Sequence, residues 1–168
     1  MNHNKQPVFV GAIAVLLFVA AAGQLPAGDY PQFSYDVGAG TGVTQDGTFF
    51  EFQAGLDTRL NLWLTWRNSV FYRSQQEVDD YFGLDTSLNA GHRIQLGDRA
   101  ALRPEAGLGY RVTSIRKHAP FASAGTTLDL GDVTLGANVR YVAYELVSDD
   151  EGEIIYSITA SGRTRGTF

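Results

Sequence analysis

From Phe33 onward the chain alternates apolar and polar residues with period two, and it does so in eight runs separated by turn residues. Such alternation puts successive side chains on opposite faces of an extended strand, and it excludes the three-to-four-residue recurrence of an amphipathic helix. The runs are Phe33 to Thr41, Thr48 to Arg59, Leu60 to Arg73, Tyr81 to Ile94, Ala101 to Thr113, Phe121 to Leu130, Val133 to Glu145 and Ile154 to Phe168. At about 9 to 14 residues each, they exceed the ~5 to 6 of an ordinary globular strand. They suit a tilted membrane-crossing strand, which needs about 9 to 11 residues in the hydrocarbon. The pattern therefore predicts an all-β chain, an eight-stranded antiparallel up-and-down transmembrane β-barrel.

Local exceptions are few. Asn68 interrupts the apolar row of the third run, and Pro104 in the fifth predicts a bulge or local break, because proline lacks a ladder donor. His92 falls on the apolar row near the end of the fourth run, and the register of the seventh blurs after Tyr141. Tight turns are expected near Thr58 to Asn61, Gln95 to Arg99 and Leu130 to Val133. Longer or more polar connections are expected near Val43 to Gly47, Ser74 to Asp80, Ser114 to Pro120 and Val147 to Glu153. This alternation of short turns and longer loops matches periplasmic and external ends, with both termini on the periplasmic side.

The two faces differ in a way that assigns inside and outside. The polar rows carry glycines (Gly38, Gly40, Gly55, Gly83, Gly91, Gly107, Gly109, Gly125, Gly136) among their charges, and small residues leave room in a narrow lumen for long arginines. A solvent-washed outer face needs no such room. On the apolar rows Phe50, Phe52, Tyr72, Phe82, Tyr110, Tyr141 and Tyr156 collect at the strand ends beside the longer loops, as an aromatic girdle at a lipid headgroup level does. Phe33, Tyr35 and Phe168 form a thinner girdle opposite.

The inward rows bring together Arg59, Arg67, Arg93, Arg103, Arg111, Arg140, Arg163 and Arg165 with Asp36, Glu51, Asp57, Asp85, Glu105 and Asp129. Isolated buried charge is prohibitive, so these residues are expected to form an ion-pair network in a side-chain-filled lumen. The competing reading of the same residues is a narrow arginine-lined channel.

Ahead of the barrel, a segment with Lys5 precedes an apolar stretch from Val8 to Gly23 that ends in Ala20, Ala21 and Ala22. At about 16 residues it falls just short of the ~17 to 25 of a spanning helix, so residues 1–22 read as a cleavable signal peptide. Residues 23–32 then form a short periplasmic segment and 33–168 the barrel. The chain has no cysteine, which removes disulfides, thiolate metal sites and a lipid-modified N-terminal cysteine. With 13 Lys and Arg against 18 Asp and Glu, the formal charge is −5, and no basic tract suits a phosphate backbone, so no nucleic-acid partner is expected.

The last strand ends Tyr156, Ile158, Ala160, Gly162, Thr164, Gly166, Phe168 at alternate positions. In this, and in its eight-run architecture, the chain resembles the small outer-membrane barrels of the OmpA and OmpX type, whose last strand commonly ends in phenylalanine. The resemblance implies an outer-membrane location, a monomer in lipid and lipopolysaccharide, and recognition of Phe168 by the barrel-assembly machinery. It carries no family-specific loop motif.

Some barrels of this size modify lipid A, so a Ser-His-acid site was weighed. Of the histidines beyond the signal segment, His92 reads as an interface anchor. His118 lies with Ser114, Arg116 and Lys117 in one loop, where Arg116, Lys117 and His118 read more simply as a contact to anionic lipopolysaccharide phosphates. The acidic stretches Glu77, Asp79, Asp80 and Asp149, Asp150, Glu151, Glu153 lack a calcium-loop pattern and read as solvated charge. No catalytic residue, metal site or cofactor is expected, and the expectation is a non-enzymatic protein of envelope structure or surface interaction.

Overall fold

A computed structural model describes residues 31–44, 47–75, 79–97, 99–131, 133–148 and 151–163, and the barrel unit begins at Pro31. The expected signal peptide (1–22), most of the segment 23–32, Arg165 and Phe168 lie outside the described residues. Eight long strands make up the unit: β1 (Gln32–Thr44), β2 (Gly47–Arg59), β3 (Leu64–Gln75), β4 (Tyr81–Gly91), β5 (Ala101–Thr113), β6 (His118–Asp129), β7 (Val133–Val142) and β8 (Glu153–Arg163). Each pairs antiparallel with its neighbours in sequence, β1 pairs with β8 and β4 with β5, so the sheet closes on itself and leaves no long edge unpaired. A strand of 12 or 13 residues rises about 3.3 Å per residue and at a tilt of about 40° climbs about 30 Å, enough to cross the ~25 Å of an apolar membrane band.

Parity follows the sequence. In β1 Phe33, Tyr35, Val37 and Ala39 are exposed on the outer wall while Asp36 is buried inside. The result inverts a soluble protein. Within β5 Leu108 is 72% exposed on the outside and Arg111 is 0% exposed in the interior. Large exposed apolar side chains recur along every strand except β6, whose outward row is Ala122, Ala124 and Thr126, far beyond the scattered single residues normal on soluble surfaces.

Four expectations are corrected. Leu60 is not the outward start of the third strand: it is buried, its N–H bonds to the Leu64 carbonyl at 2.9 Å, and the strand begins at Leu64. Asn61 decides this, because its Oδ1 accepts from the N–H groups of Trp63 (2.9 Å) and Leu64 (2.8 Å), an Asx turn that competes with the ladder. The fourth strand stops at Gly91 rather than Ile94, leaving His92 exposed in a connection of residues 92–100, where among the described residues Ile94 and Gln95 pair with β5 and His92 N–H bonds to the Pro104 carbonyl. That connection is not the tight turn expected there. Conversely, the expected loop at Ser114 to Pro120 is a tight hairpin of residues 114–117, so connection length does not separate the two mouths as cleanly as the turn residues suggested.

Pro104 causes no break. It pairs with Thr126 on β6, and its carbonyl accepts from His92 N at 3.2 Å, so its missing N–H points the same way, just past Gly91↔Glu105, the last registered pair with β4. A donor is dispensable there. Asn68, the polar residue in an outward row, is likewise satisfied: Thr86 Oγ1 donates to its Oδ1 at 2.8 Å, and Trp66 Nε1 donates to Thr86 at 3.0 Å.

Candidate functional site

The interior is built in two halves. Towards the mouth at which β3, β5 and β7 end, here the loop mouth, three arginines meet three carboxylates. Arg111 is the hub: Nε and Nη2 grip the two oxygens of Asp85 at 2.8 and 2.7 Å, and Nη1 and Nη2 reach Glu51 at 2.9 Å each. Arg73 donates to Glu51 (3.1 and 3.3 Å) and to Glu153 (2.7 Å), and Arg140 pairs with Asp85. Arg73, Arg111 and Arg140 thus balance Glu51, Asp85 and Glu153. Bidentate, charge-assisted contacts of this geometry are what offset the desolvation of buried charge.

Inward aromatics brace the guanidinium groups. Arg73 lies 3.6 Å from the Phe49 ring centroid and 5.3 Å from that of Tyr81, Arg111 lies 3.9 Å from Phe71, and Arg140 4.7 Å from Phe121, all within cation–π range. Phe49, Phe71 and Phe121 each face a glycine directly across their own hairpin: Gly42, Gly83 and Gly109. A Cβ at any of these glycines would run into the ring. Phe49, Phe121, Val142, Tyr144, Ile155 and Ala119 form one buried apolar cluster, so the loop half of the lumen is filled by charge and rings together.

In the other half Arg67 holds Asp57 through Nε (2.7 Å) and Nη2 (2.8 Å) and reaches Glu105 at 3.2 Å, while Arg93, half exposed at the mouth, lies 3.5 Å from Asp129. Arg103 is buried and donates to Thr65 Oγ1 at 3.0 Å. Arg59 is half-buried and lines the same space. Between the halves Asp36 is 3% exposed, and neither of its carboxylate oxygens has a hydrogen-bond partner among the described residues. Arg163 is placed in β8 opposite Ser34, and nothing is described of its side chain.

Two members of the lumen cluster were absent from the expected network. Arg73 already lay on the inward row of its run, which was the available signal. Glu153 was read as loop charge because it is adjacent to an acidic stretch, and only the pairing of Val142 with Glu153 brings it to Arg73. The inward rings carried a subtler signal, since each sits one position off the apolar row.

At the loop mouth the expected girdle residues Phe50, Phe52, Tyr72, Phe82, Tyr110, Tyr141 and Tyr156 all stand exposed on the outer wall. The tyrosine hydroxyls anchor nearby polar groups: Tyr72 donates to Asp80, Tyr141 to Glu145, and Tyr110 shares a 2.6 Å hydrogen bond with His118 Nδ1. Asp80 is held below the usual carboxylate range by the Tyr72 hydrogen bond. Arg116 adopts a left-handed φ of 65° in the hairpin, with Arg116 N donating to Thr113 O at 3.1 Å, and it stands exposed with Lys117. Ser114 and His118 are not brought together: the Ser114 hydroxyl accepts from Phe82 N–H at 3.3 Å, and the His118 ring stacks on Tyr110.

No protein-family model matches the chain, and no curated protein matches it in sequence. Solved structures do share its architecture. A de novo designed transmembrane β-barrel superposes with a TM-score of 0.60 at 12% identity, over 80% of this chain and 98% of that one. The outer membrane enzyme PagL gives 0.58 at 17% identity, over 77% and 99%. Neisserial surface protein A gives 0.52 at 12% identity, over 79% and 96%. At such identities the likeness is one of fold. The chain has the closed, antiparallel eight-stranded architecture of the small outer-membrane barrels that its alternation and last strand resemble.

Proposed function

We propose that this chain is a non-enzymatic outer-membrane protein whose lumen is closed by side chains, and which serves envelope structure or surface contact. The observation that carries the proposal is the inverted distribution of charge, with an apolar wall outside and a balanced cluster of Arg73, Arg111, Arg140, Glu51, Asp85 and Glu153 buried across the lumen. An ion crossing the loop half must displace buried bidentate pairs, which opposes conduction.

The remaining assignments follow from the same orientation. The girdle at the loop mouth marks the outer headgroup level, and the exposed Arg116 and Lys117 beside His118 face lipopolysaccharide phosphates there. The barrel-assembly machinery is the partner for export, and the closed sheet favours a monomer. The engagement of Ser114 with Phe82 and of His118 with Tyr110 supports a binding role for this hairpin over acyl hydrolysis.

Single-channel recording of the refolded protein in planar bilayers tests the closed lumen. The expected trace shows no reproducible steps, and regular unitary currents would establish the arginine-lined channel instead.

A further inference from the structure

The lumen half lined by Arg59, Arg67, Arg93 and Arg103 holds a cavity of about 60 Å³. A single water needs about 10–15 Å³ of such space, so the cavity holds several waters or one small ion. Its charged lining is Arg59, Arg67, Arg93 and Arg103 against Asp57, Glu105 and Asp129, four positive groups to three negative. The three carboxylates have cationic neighbours already: Asp57 and Glu105 are held by Arg67, and Asp129 by Arg93.

Arg103 is the residue left over. It is 8% exposed, its guanidinium bonds through Nη2 to Thr65 Oγ1 at 3.0 Å, and its Nε is buried without an acceptor. Among the described residues no carboxylate lies within ion-pair distance of it. The backbone closes in behind, since a Cβ on Gly91 would come within 2.8 Å of that Nε. A guanidinium does not lose its proton in a protein, so neutralisation is not open to Arg103 as it would be to a buried lysine. What remains to satisfy its buried N–H groups is the content of the cavity, and of water and an anion only the anion also balances the charge.

We infer that this cavity is a binding site for a small free oxyanion of the phosphate class, held by Arg103 and admitted past Arg93. The fork of a guanidinium matches two oxygens of such an ion, which a spherical halide does not offer. Arg93, 50% exposed at the rim, supplies the field that draws an anion inward. The cavity's size excludes a sugar or an acyl-bearing headgroup.

The test is titration of the full mature chain, folded in a maltoside detergent that carries no phosphate, with inorganic phosphate followed by phosphorus NMR and by the urea midpoint of unfolding. One saturable site is expected, with a midpoint that rises with phosphate and not with chloride at equal ionic strength. Arg103→Gln is expected to weaken phosphate binding at least tenfold while leaving the phosphate-free midpoint unchanged or higher, because it removes a buried cation without a partner. Arg93→Ala changes a half-exposed position at the cost of the Asp129 ion pair; it is expected to weaken binding several-fold in the folded barrel, and it decides the matter should Arg103→Gln fail to fold. Absence of saturable binding, unchanged affinity in Arg93→Ala and in a folded Arg103→Gln, or an equal response to chloride would overturn the site.

Discussion

At the residue scale, the loop-half cluster stands or falls on completeness. Glu51 accepts from both Arg73 and Arg111, so Glu51→Gln leaves two buried guanidinium groups facing Asp85 and Glu153 alone. Removing one partner of a buried pair costs about 3–5 kcal/mol, and the urea midpoint of the micelle-folded barrel is expected to fall accordingly. The exposed pair of Tyr72 and Asp80 behaves differently. The Tyr72 hydroxyl lowers the Asp80 carboxyl relative to the unfolded chain, so its contribution is present above the unfolded pKa and is lost as pH falls through the lower, folded one. Tyr72→Phe is expected to raise the Asp80 titration, followed by carbon NMR of its carboxyl, part of the way towards the ordinary range, because hydrogen bonds from Ser74 and the Gln75 backbone still favour the carboxylate. Solvent screening keeps the effect on stability slight.

At the element scale, three of the four hairpins that turn at the loop mouth share one joint, a ring laid over a glycine in the partner strand: Phe49 on Gly42, Phe71 on Gly83, Phe121 on Gly109. Gly83→Val puts a branched side chain where the Phe71 ring lies, and overpacking of this kind costs about 1–3 kcal/mol. Gly83→Val combined with Phe71→Ala is expected to be less damaging than the sum of the two changes, because the second removes the clash with the ring while that with the Val112 carbonyl remains; a double-mutant cycle on the unfolding midpoint measures the coupling. These joints show where sequence reading stops. Alternation alone located all eight strands and their inward and outward rows, since parity is a local property of an extended chain. The strand ends were less legible, because the Asn61 side chain and the Gly91–Pro104 neighbourhood set them through contacts the pattern does not encode. Likewise, Arg73 and Glu153 are 80 positions apart, and only closure of the sheet makes them a pair. Inward charges were readable as a set, and their partners were not.

At the scale of the whole molecule, the outer wall makes a demand that the interior does not. Leu108 sits mid-strand on β5 at 72% exposure, and Phe82 sits at the loop-mouth end of β4 at 67%. On a water-soluble barrel both positions would tolerate arginine within about 0.5 kcal/mol, as exposed surface positions do. In a bilayer the cost depends on depth: about 2–4 kcal/mol at the midplane and about 0–1 near the interface. Reversible unfolding in phosphatidylcholine vesicles is therefore expected to show Leu108→Arg strongly destabilised and Phe82→Arg nearly unchanged. Equal and small effects at the two positions would place this wall in water and remove the membrane from the proposal, while the closed sheet and its buried charges would stand. A wall that is predominantly apolar, yet encloses fully buried arginines, is stable only where lipid covers the first and paired carboxylates or a bound anion satisfy the second.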